Sequence, residues 1–456
     1  MVALCSGRSP VNITLLPMST GAAALDGSPY GFFFLGSNTS TQWTISIQGG
    51  GWCVGVGDCY DRSQMKTLHG KPGSYGSSVP LMGHPEGCGC MNPAAGGLAT
   101  DCNCIMMPYL DGASFSGERD QPVPVSSHPG KFVHYKGLRN FDATLDYAFA
   151  HLGLERATEM VVTGGSAGGL STFLHLDRVA ARMERGAPAC TRTTGAPVVG
   201  FFLDHANYHE GHGDTAHGGG SGSRSRSSSS PSPQPGYSYP RDGTNYSSWM
   251  ERVVSDQNVS SVLLPDCLAA FPREPHLCFM SPHMVQFIAS ALFIFNSRFD
   301  AWQMQNDLQA PCINGDMNHP VCNATEQAAM VRYGDDFLAA LQPVVDSAPK
   351  NGAFITSCIC HSCSWATLKL DGASSYTHYS RWYFGGGGGG GGGEGSGGEG
   401  SGGGAGGNGK GNTSMSGLRP GLRPGLSGSG SSTIHVDRRA PNGGGQLTDP
   451  KCVRFP

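Results

Sequence analysis

One pentapeptide, residues 164–168, constrains the fold of this chain more than any other stretch. It reads Gly-Gly-Ser-Ala-Gly, follows the strand-like run 159–162 and precedes a plausible helix. A serine at the apex of a sharp strand-to-helix turn has a strained backbone, and glycines at 164 and 168 leave room for that turn. The turn exposes Ser166 Oγ and directs the N–H of Ala167 toward the place where an oxyanion would form. A simple glycine-rich loop is the alternative in a chain with 70 glycines, but the flanking strand and helix favour a nucleophile.

A serine nucleophile needs a histidine that accepts its proton and a carboxylate that orients the histidine. When the serine occupies this kind of turn, the acid and then the base follow downstream, past the ends of later strands. The apolar run 291–295 predicts a buried strand shortly before Asp300, and the stretch 353–355 predicts another shortly before His361. We therefore predict Asp300 as the acid and His361 as the base, although an aspartate after a strand is commonly a helix cap.

A glycine-rich loop supplies the remaining part of such a site. The run 43–48 alternates apolar and polar residues, which predicts a strand, and it leads into Gly-Gly-Gly-Trp-Cys at 49–53. Glycines let the main chain approach a carbonyl oxygen closely, as in the glycine-rich loop of lipases and esterases. We predict that this loop donates backbone N–H groups to an oxyanion. The alternative is a simple turn with Trp52 in the core.

Five segments together resemble the pectin acetylesterase and Notum family. They occur in the family's order and span roughly residues 20–365. The segments are Gly-Gly-Gly-Trp-Cys at 49–53, Asp-Gly-Ala-Ser-Phe-Ser-Gly at 111–117, Gly-Ser-Ala-Gly-Gly-Leu at 165–170, Asp-Ala-Trp-Gln at 300–303, and Ser-Cys at 357–358 followed by His361. The resemblance implies an α/β fold, namely an α/β-hydrolase-like three-layer sandwich with a mostly parallel central sheet and stabilising disulfides.

The resemblance also implies the roles of the site residues. The catalytic triad would consist of Ser166, Asp300 and His361. The backbone N–H groups of three residues would form the oxyanion hole. These are Gly51, Trp52 and Ala167. Such an enzyme needs no cofactor and no metal ion.

Within the family, the segment 111–117 and the pair Trp302-Gln303 resemble the plant pectin acetylesterases more than animal Notum. Ala24 and Leu176 stand where cysteines are usual, and Cys360 before the histidine is atypical. The resemblance therefore implies a serine esterase that removes O-acetyl groups from pectin or a similar cell-wall polysaccharide. The alternatives are a Notum-like carboxylesterase that removes a fatty acyl group from a protein or lipid ester, and an inactive carbohydrate-binding relative.

Composition divides the chain of 456 residues into three parts. Residues 1–384 form the predicted catalytic domain, interrupted by a low-complexity insertion at about 209–243. Residues 385–432 begin with nine glycines and hold few apolar side chains, so they cannot offset the entropy of ordering and are expected to be disordered. Residues 433–456 form a C-terminal tail.

Sixteen cysteines, many of them closely spaced, favour an oxidising compartment and disulfides. The pairs Cys88-Gly-Cys90 and Cys102-Asn-Cys104, together with 358–361, also permit a zinc site, although none has the usual two-residue spacer. Six N-glycosylation sequons agree with secretion to the cell wall or extracellular space. They begin at Asn12, Asn38, Asn245, Asn258, Asn323 and Asn412. The first eight residues hold too few apolar side chains for a secretory signal.

The charge pattern limits the partners. A formal net charge of −4 and the lack of a basic patch with interleaved aromatics argue against nucleic acid. No apolar run is long enough to span a membrane. The expected partner is an acetylated polysaccharide substrate, and the enzyme is expected to act as a monomer.

Overall fold

The computed structural model describes residues 10–68, 70–86, 88–91, 101–206, 245–313, 322–363, 365–385 and 433–437. The predicted insertion at about 209–243 lies outside the described residues, as does the segment 385–432 except for Gly385. The sequon at Asn412 and the tail beyond residue 437 also lie outside them.

A single sheet of nine strands organises the described residues. Its strands are β1 (Thr14–Leu15), β2 (Gly31–Leu35), β3 (Gln42–Ile47), β4 (Asn103–Met107), β5 (Glu159–Gly165), β6 (Arg192–Val198), β7 (Ala291–Ser297), β8 (Gly352–Thr356) and β9 (Ile434–Val436). Their order across the sheet is β1-β2-β4-β3-β5-β6-β7-β8-β9. β2 runs antiparallel to both of its neighbours, and the other pairings are parallel. The carboxyl ends of β3, β5, β7 and β8 therefore meet at one edge of the sheet.

Two hydrophobic clusters cover opposite faces of this sheet, because successive side chains of a strand point to opposite sides. Leu292 and Ile294 of β7 belong to the larger cluster, while Phe293 and Phe295 belong to the second. This alternation explains why the run 291–295 is continuously apolar. The result is the predicted α/β architecture of three layers around a mostly parallel sheet.

Ten α-helices surround the sheet in the described part of the chain. They are α1 (Val56–Ser63), α2 (Gly137–Tyr147), α3 (Ala167–Gly186), α4 (Tyr246–Gln257), α5 (Pro265–Ala270), α6 (Ser281–Met284), α7 (Ala301–Asn306), α8 (Ala324–Ala340), α9 (Gln342–Asp346) and α10 (Ser375–Phe384). α3 packs on β5 and β6, and α10 packs on β7 and β8 from the opposite face. Among the described helices, none combines the length and the hydropathy needed to cross a membrane.

Short elements complete the fold. α2 continues as a π-helical turn (Ala148–Leu152), and three hairpins among the described residues have strands of two residues each. The hairpins pair Thr67–Leu68 with Lys71–Pro72, Val123–Pro124 with Phe132–Val133, and Lys369–Leu370 with Ala373–Ser374. The 3₁₀ turns are Met18–Thr20, Val79–Leu81, Leu154–Arg156, Ser260–Val262, Pro275–Phe279, Val285–Phe287 and Pro311–Ile313.

Disulfides use most of the described cysteines, as predicted. The bridges are Cys53–Cys59, Cys88–Cys104, Cys90–Cys102, Cys267–Cys278, Cys312–Cys322 and Cys360–Cys363, and Cys358 is also disulfide-bonded. The two closely spaced pairs that permitted a zinc site are joined to each other, so their sulfurs are not thiolate ligands. Cys190 is a free thiol.

The C-terminal strand differs from the division made on composition. Ile434–Val436 pairs in parallel with β8, and the N–H of Asp437 donates to Ile355 O at 2.8 Å. Ser357 Oγ donates to Asp437 Oδ2 at 2.6 Å. Residues 434–436 thus belong to the nine-stranded sheet. A strand this short, with a histidine at its centre, has no alternation long enough to be recognised in the sequence.

Candidate active site

Ser166 lies at the turn between β5 and α3. Its backbone has φ 59° and ψ −125°, a conformation that costs free energy for a residue with a side chain. A Cβ on Gly164 would lie 2.3 Å from Gly168 O, and one on Gly168 would lie 2.3 Å from Ile47 O. Side chains at either position would therefore collide with main chain, which is the steric requirement inferred from the pentapeptide.

His361 connects Ser166 to Asp300. Its Nε2 is 2.9 Å from Ser166 Oγ, and its Nδ1 is 2.9 Å from Asp300 Oδ1 and 2.8 Å from Oδ2. Asp300 is fully buried, whereas the imidazole is 17% exposed. A carboxylate against Nδ1 requires the proton on that nitrogen, so Nε2 is left as an acceptor for the serine hydroxyl.

Asp300 has two functions in this geometry. It is the N-cap of α7, where its Oδ1 accepts the N–H of Gln303 at 3.0 Å, and the same carboxylate contacts His361. The cap orients the carboxylate because it fixes one oxygen at the start of the helix. The interpretation as a cap and the interpretation as an acid are therefore compatible.

Gln303 joins Asp300 to a buried hydrogen-bond network, because its backbone N–H binds Asp300 and its side chain binds the loop after β6. Its Oε1 accepts the N–H of Leu203 at 2.9 Å and its Nε2 donates to Phe201 O at 3.1 Å. Tyr333 Oη lies 2.7 Å from Gln303 Oε1 and 2.5 Å from Asp307 Oδ2. This network holds the loop after β6 next to α7.

The hydrogen bonds of Tyr333 determine the protonation state of the Asp307 carboxyl. The hydroxyl of Tyr333 carries one proton, and Gln303 Oε1 can only accept it. The short contact with Asp307 therefore needs a proton from the carboxyl, so Asp307 is neutral and donates to Tyr333. Burial, the largest cause, raises the pKa of Asp307 well above its ordinary value, in agreement with this assignment.

The glycine loop after β3 packs directly against the Ser166 turn. A Cβ on Gly49 would lie 2.0 Å from Gly165 O and 3.1 Å from the nitrogen of Ala167, so only glycine fits here. Ala167 begins α3, where N–H groups have no acceptor within the helix. Within the described part of the chain, neither this N–H nor that of Gly51 donates to a protein acceptor.

Ser114 joins the glycine loop to the first turn of α3. Its Oγ accepts the indole N–H of Trp52 at 2.9 Å and donates to Ala167 O at 2.8 Å. Its own N–H donates to Tyr109 Oη at 2.9 Å, and its carbonyl accepts Ser171 Oγ at 2.6 Å. A single serine thus fixes the distance between Trp52 and Ala167.

Asp111 holds the loop that carries Ser114. Its Oδ2 accepts the N–H groups of Ala113 at 3.1 Å and Phe115 at 2.8 Å. The segment needs this restraint because Ser114 and Phe115 have positive φ angles of 55° and 60°. Burial raises the pKa of the Asp111 carboxyl to about 6.

Four aromatic side chains pack together next to the imidazole of His361. The Trp52 ring lies 4.9 Å from Phe202, 5.7 Å from Tyr246 and 5.6 Å from Trp302, measured between centroids. Phe202 and Trp302 each lie 6.4 Å from the imidazole of His361. We call Trp52, Phe202, Tyr246 and Trp302 the aromatic cluster.

The structure thus brings the predicted residues Ser166, Asp300 and His361 into one hydrogen-bonded chain and puts the glycine loop beside Ala167. Sequence reasoning missed the supporting side chains. Ser114 and Gln303 lay inside segments already noted, but only their spatial neighbours reveal their contacts. No sequence signal marked Tyr333, because a tyrosine in an amphipathic helix is ordinary core.

Comparison with known proteins shows the family of this chain. The profile of the family described as Pectinacetylesterase matches residues 4–216 and 238–380, and the gap between the two ranges falls inside the predicted insertion. Pectin acetylesterase 11 of Arabidopsis thaliana is 26% identical over 366 residues, which is 78% of this chain and 81% of that protein.

Notum proteins are similar as well. The palmitoleoyl-protein carboxylesterase NOTUM of Drosophila melanogaster is 24% identical over 369 residues, which cover 78% of this chain and 46% of that protein. The solved structure of the Wnt deacylase Notum from Drosophila has a TM-score of 0.61 at 21% identity and covers 82% of this chain and 93% of the solved chain. The chain belongs to the pectinacetylesterase family and is a carboxylic ester hydrolase.

Proposed function

We propose that this carboxylesterase removes O-acetyl groups from pectin or a similar polysaccharide, with Ser166 as nucleophile, His361 as general base and Asp300 as its orienting acid. The observation that carries the proposal is the hydrogen-bonded chain from Ser166 Oγ through both nitrogens of His361 to Asp300. A serine hydroxyl at pH 7 becomes nucleophilic when such a base takes its proton.

The first half of the reaction acylates the enzyme. His361 Nε2 accepts the proton as Ser166 Oγ bonds to the acetyl carbonyl carbon, and the carbonyl oxygen becomes an oxyanion. The N–H groups of Gly51, Trp52 and Ala167 stabilise that oxyanion. When the intermediate collapses, the bond to the sugar oxygen breaks and His361 returns the proton to that oxygen.

The second half releases acetate. A water molecule gives a proton to His361 and attacks the acetyl-serine, so a second oxyanion forms in the same place. Collapse breaks the bond to Ser166 Oγ, which regains its proton from His361. Asp300 stabilises the imidazolium in both halves.

The aromatic cluster favours a short acyl group. Trp52, Phe202 and Tyr246 are at most 2% exposed, and their rings pack edge to face or tilted with little space between them. A fatty acyl chain would have to displace these rings, although each buried methylene would return about 0.8 kcal/mol. An acetyl methyl group needs no such displacement.

The plant relatives named pectin acetylesterases support the polysaccharide as substrate. The disulfides support an oxidising, extracellular or cell-wall location. The polysaccharide substrate and the extracellular location are both inferred without the acyl-size argument, so each can be tested separately.

The experiment measures kcat/KM with p-nitrophenyl acetate, butyrate, octanoate and palmitate, and acetate release from acetylated pectin. We expect the highest kcat/KM for acetate, a steady fall beyond butyrate, and release of acetate from pectin. The matched control is Ser166→Ala, which should keep the fold and lower hydrolysis by at least about 1,000-fold, since nucleophile and base act as a unit.

Two results would contradict the proposal. Activity retained in the folded Ser166→Ala variant would remove Ser166 from its role. A preference of tenfold or more for octanoate or palmitate, which corresponds to about 1.4 kcal/mol of extra transition-state stabilisation, would favour a fatty-acyl substrate instead.

A further inference from the structure

A buried arginine lies behind the glycine loop. Arg62, in the last turn of α1, is 2% exposed. Its Nη2 donates to Gly50 O, and its Nε donates to Tyr75 O at 3.3 Å. The guanidinium carbon lies 5.2 Å from the ring centroid of Tyr75 and 5.6 Å from that of Tyr109. Within the described residues, this cation forms no ion pair, so its closest polar contacts are two backbone carbonyls.

Burying a guanidinium without an ion pair costs desolvation free energy. An arginine carries a permanent positive charge, and an apolar side chain of similar volume is commonly as stable or more stable in a protein core. Asp58 and Asp111 are the acidic groups whose charges act on Arg62, but neither forms a salt bridge with it. Packing alone therefore does not account for the charge at this position.

The bond to Gly50 O acts on the neighbouring amide. Gly50 O and the N–H of Gly51 belong to one planar peptide group, and among described residues the only cis bond joins Ala348 to Pro349. In a trans peptide the carbonyl and the N–H point in opposite directions. A cation on the carbonyl side thus fixes the direction of the Gly51 N–H and polarises it toward greater positive charge on hydrogen.

We propose that Arg62 is a positioning residue that orients and polarises the Gly51 N–H for oxyanion stabilisation. This inference rests on the proposed oxyanion role of Gly51. Arg62 lies behind the loop and touches no substrate, so it acts through the peptide group alone. The polarisation matters most when negative charge forms on the substrate oxygen, so it should lower the transition state more than it strengthens ester binding.

Three substitutions separate charge, hydrogen bond and packing. Arg62→Lys keeps the charge without the planar donor pair. Arg62→Gln keeps a donor without the charge. Arg62→Met keeps most of the apolar stem and removes both. Arg156→Met is the matched control, because Arg156 is 72% exposed and pairs with its neighbour Glu155 at the surface.

For each variant we measure kcat and KM with p-nitrophenyl acetate, the inhibition constant of a trifluoromethyl ketone, and the fraction of enzyme that a fluorophosphonate labels at Ser166. The ketone forms a tetrahedral adduct with Ser166 Oγ that carries an oxyanion, so its affinity reports stabilisation of that charge. Circular dichroism and Tm report folding.

We expect kcat per labelled site to fall about tenfold in Arg62→Lys and about 100-fold in Arg62→Met, with Arg62→Gln between them and KM within about threefold of wild type. The ketone affinity should weaken by the same factors. The control should match wild type. If Arg62→Met does not fold, the lower kcat of Arg62→Gln relative to Arg62→Lys carries the same conclusion.

The proposal is overturned if the folded variants keep kcat within threefold of wild type, or if activity falls only in proportion to the labelled fraction while ketone affinity per labelled site is unchanged. Ser166→Ala in the same assays distinguishes this failure from failure of the proposed function. Loss of activity and labelling in Ser166→Ala upholds the nucleophile even when the Arg62 variants are unaffected.

Discussion

On one side of Ser166 lie the loops 49–53 and 111–117 and the first turn of α3, which we call the amide side. On the other side lie Asp300, Gln303 and His361, which we call the imidazole side. The amide side presents backbone N–H groups that keep their protonation state throughout the proposed reaction. The imidazole side accepts and returns a proton in each half-reaction.

The side chains that hold these two sides in place differ in charge. Charged groups hold the amide side, where Arg62 binds the Gly50 carbonyl and Asp111 accepts two loop N–H groups. A neutral network of Gln303, Tyr333 and Asp307 holds the imidazole side. Of these groups, Arg62 keeps its charge at every working pH and supports the side whose protonation is constant, whereas neutral supports leave the cycling proton on His361 undisturbed.

The largest expected effect is on the stability of the amide side. Asp111 has a folded-state pKa of about 6, above its ordinary value because of burial. The folded protein therefore binds more protons than the unfolded chain in this range, so the stabilisation from this carboxyl is complete below about pH 4 and is lost as pH rises through about 6. Asp111→Asn cannot titrate, so wild type should lose about 3 kcal/mol of unfolding free energy relative to the variant between pH 4 and 7.

Urea unfolding at intervals between pH 4 and pH 7 measures this difference. Asp120→Asn is the control, since Asp120 is exposed and should show the wild-type pH dependence. Parallel stability curves for wild type and Asp111→Asn would contradict a raised pKa of Asp111 in the folded protein.

The next effect concerns the contact between Trp52 and Ser114. Trp52→Phe and Ser114→Ala each remove it, and we expect each to lower kcat/KM by about 30-fold, or about 2 kcal/mol, because the glycine loop is then less firmly held against Ala167. Ser114→Ala also removes the bond to Ala167 O, so the double variant should be little worse than Ser114→Ala alone. Trp382→Phe, at another buried tryptophan, should retain wild-type kcat/KM. Additive losses would show that the two side chains act independently.

The smallest effect is expected on the imidazole side. Tyr333→Phe removes the donor to Gln303 and should lower kcat/KM about tenfold. The effect is small because this uncharged network contacts Asp300 only through Gln303. Asp307→Asn keeps a donor toward Tyr333 and should stay within about threefold of wild type, whereas Asp307→Leu should resemble Tyr333→Phe. Steady-state kinetics of the three variants test this order. If Asp307→Asn is as impaired as Asp307→Leu, the carboxyl is an anion rather than a neutral donor.

The sequence predicts which residues meet at this edge of the sheet where the chemistry of a residue coincides with a local sequence pattern. The turn at Ser166 needs glycines that are adjacent in the chain, and the strand before it is marked by an apolar run. Asp300 and His361 each follow a buried strand, so their order and position indicate a common edge of a parallel sheet. These signals depend on local sequence or on strand order, and both are readable without coordinates.

The supports could not be predicted, for a physical reason. Arg62 lies on a short helix, where an arginine is usually solvated, and its contact with Gly50 depends on how α1 packs. Tyr333 reaches Gln303 across 30 positions of sequence, and Ser114 reaches Ala167 across 53. The edge strand Ile434–Val436 is likewise defined only by its partner. Contacts of this kind follow from tertiary packing, which the local spacing of apolar and polar residues in the sequence does not indicate.

The edge strand also bears on the order in which the enzyme is made. A chain emerging from the ribosome presents Ser166, Asp300 and His361 well before residues 434–436 are synthesised. Until they arrive, β8, which leads to His361, has one row of backbone N–H and C=O groups with no neighbouring strand, and such an edge readily pairs with other chains. A chain cut after Phe384 would contain all three residues of the proposed triad and would still leave this edge of β8 unpaired. Residues 434–436 therefore complete the sheet only after all three residues of the proposed triad have been synthesised.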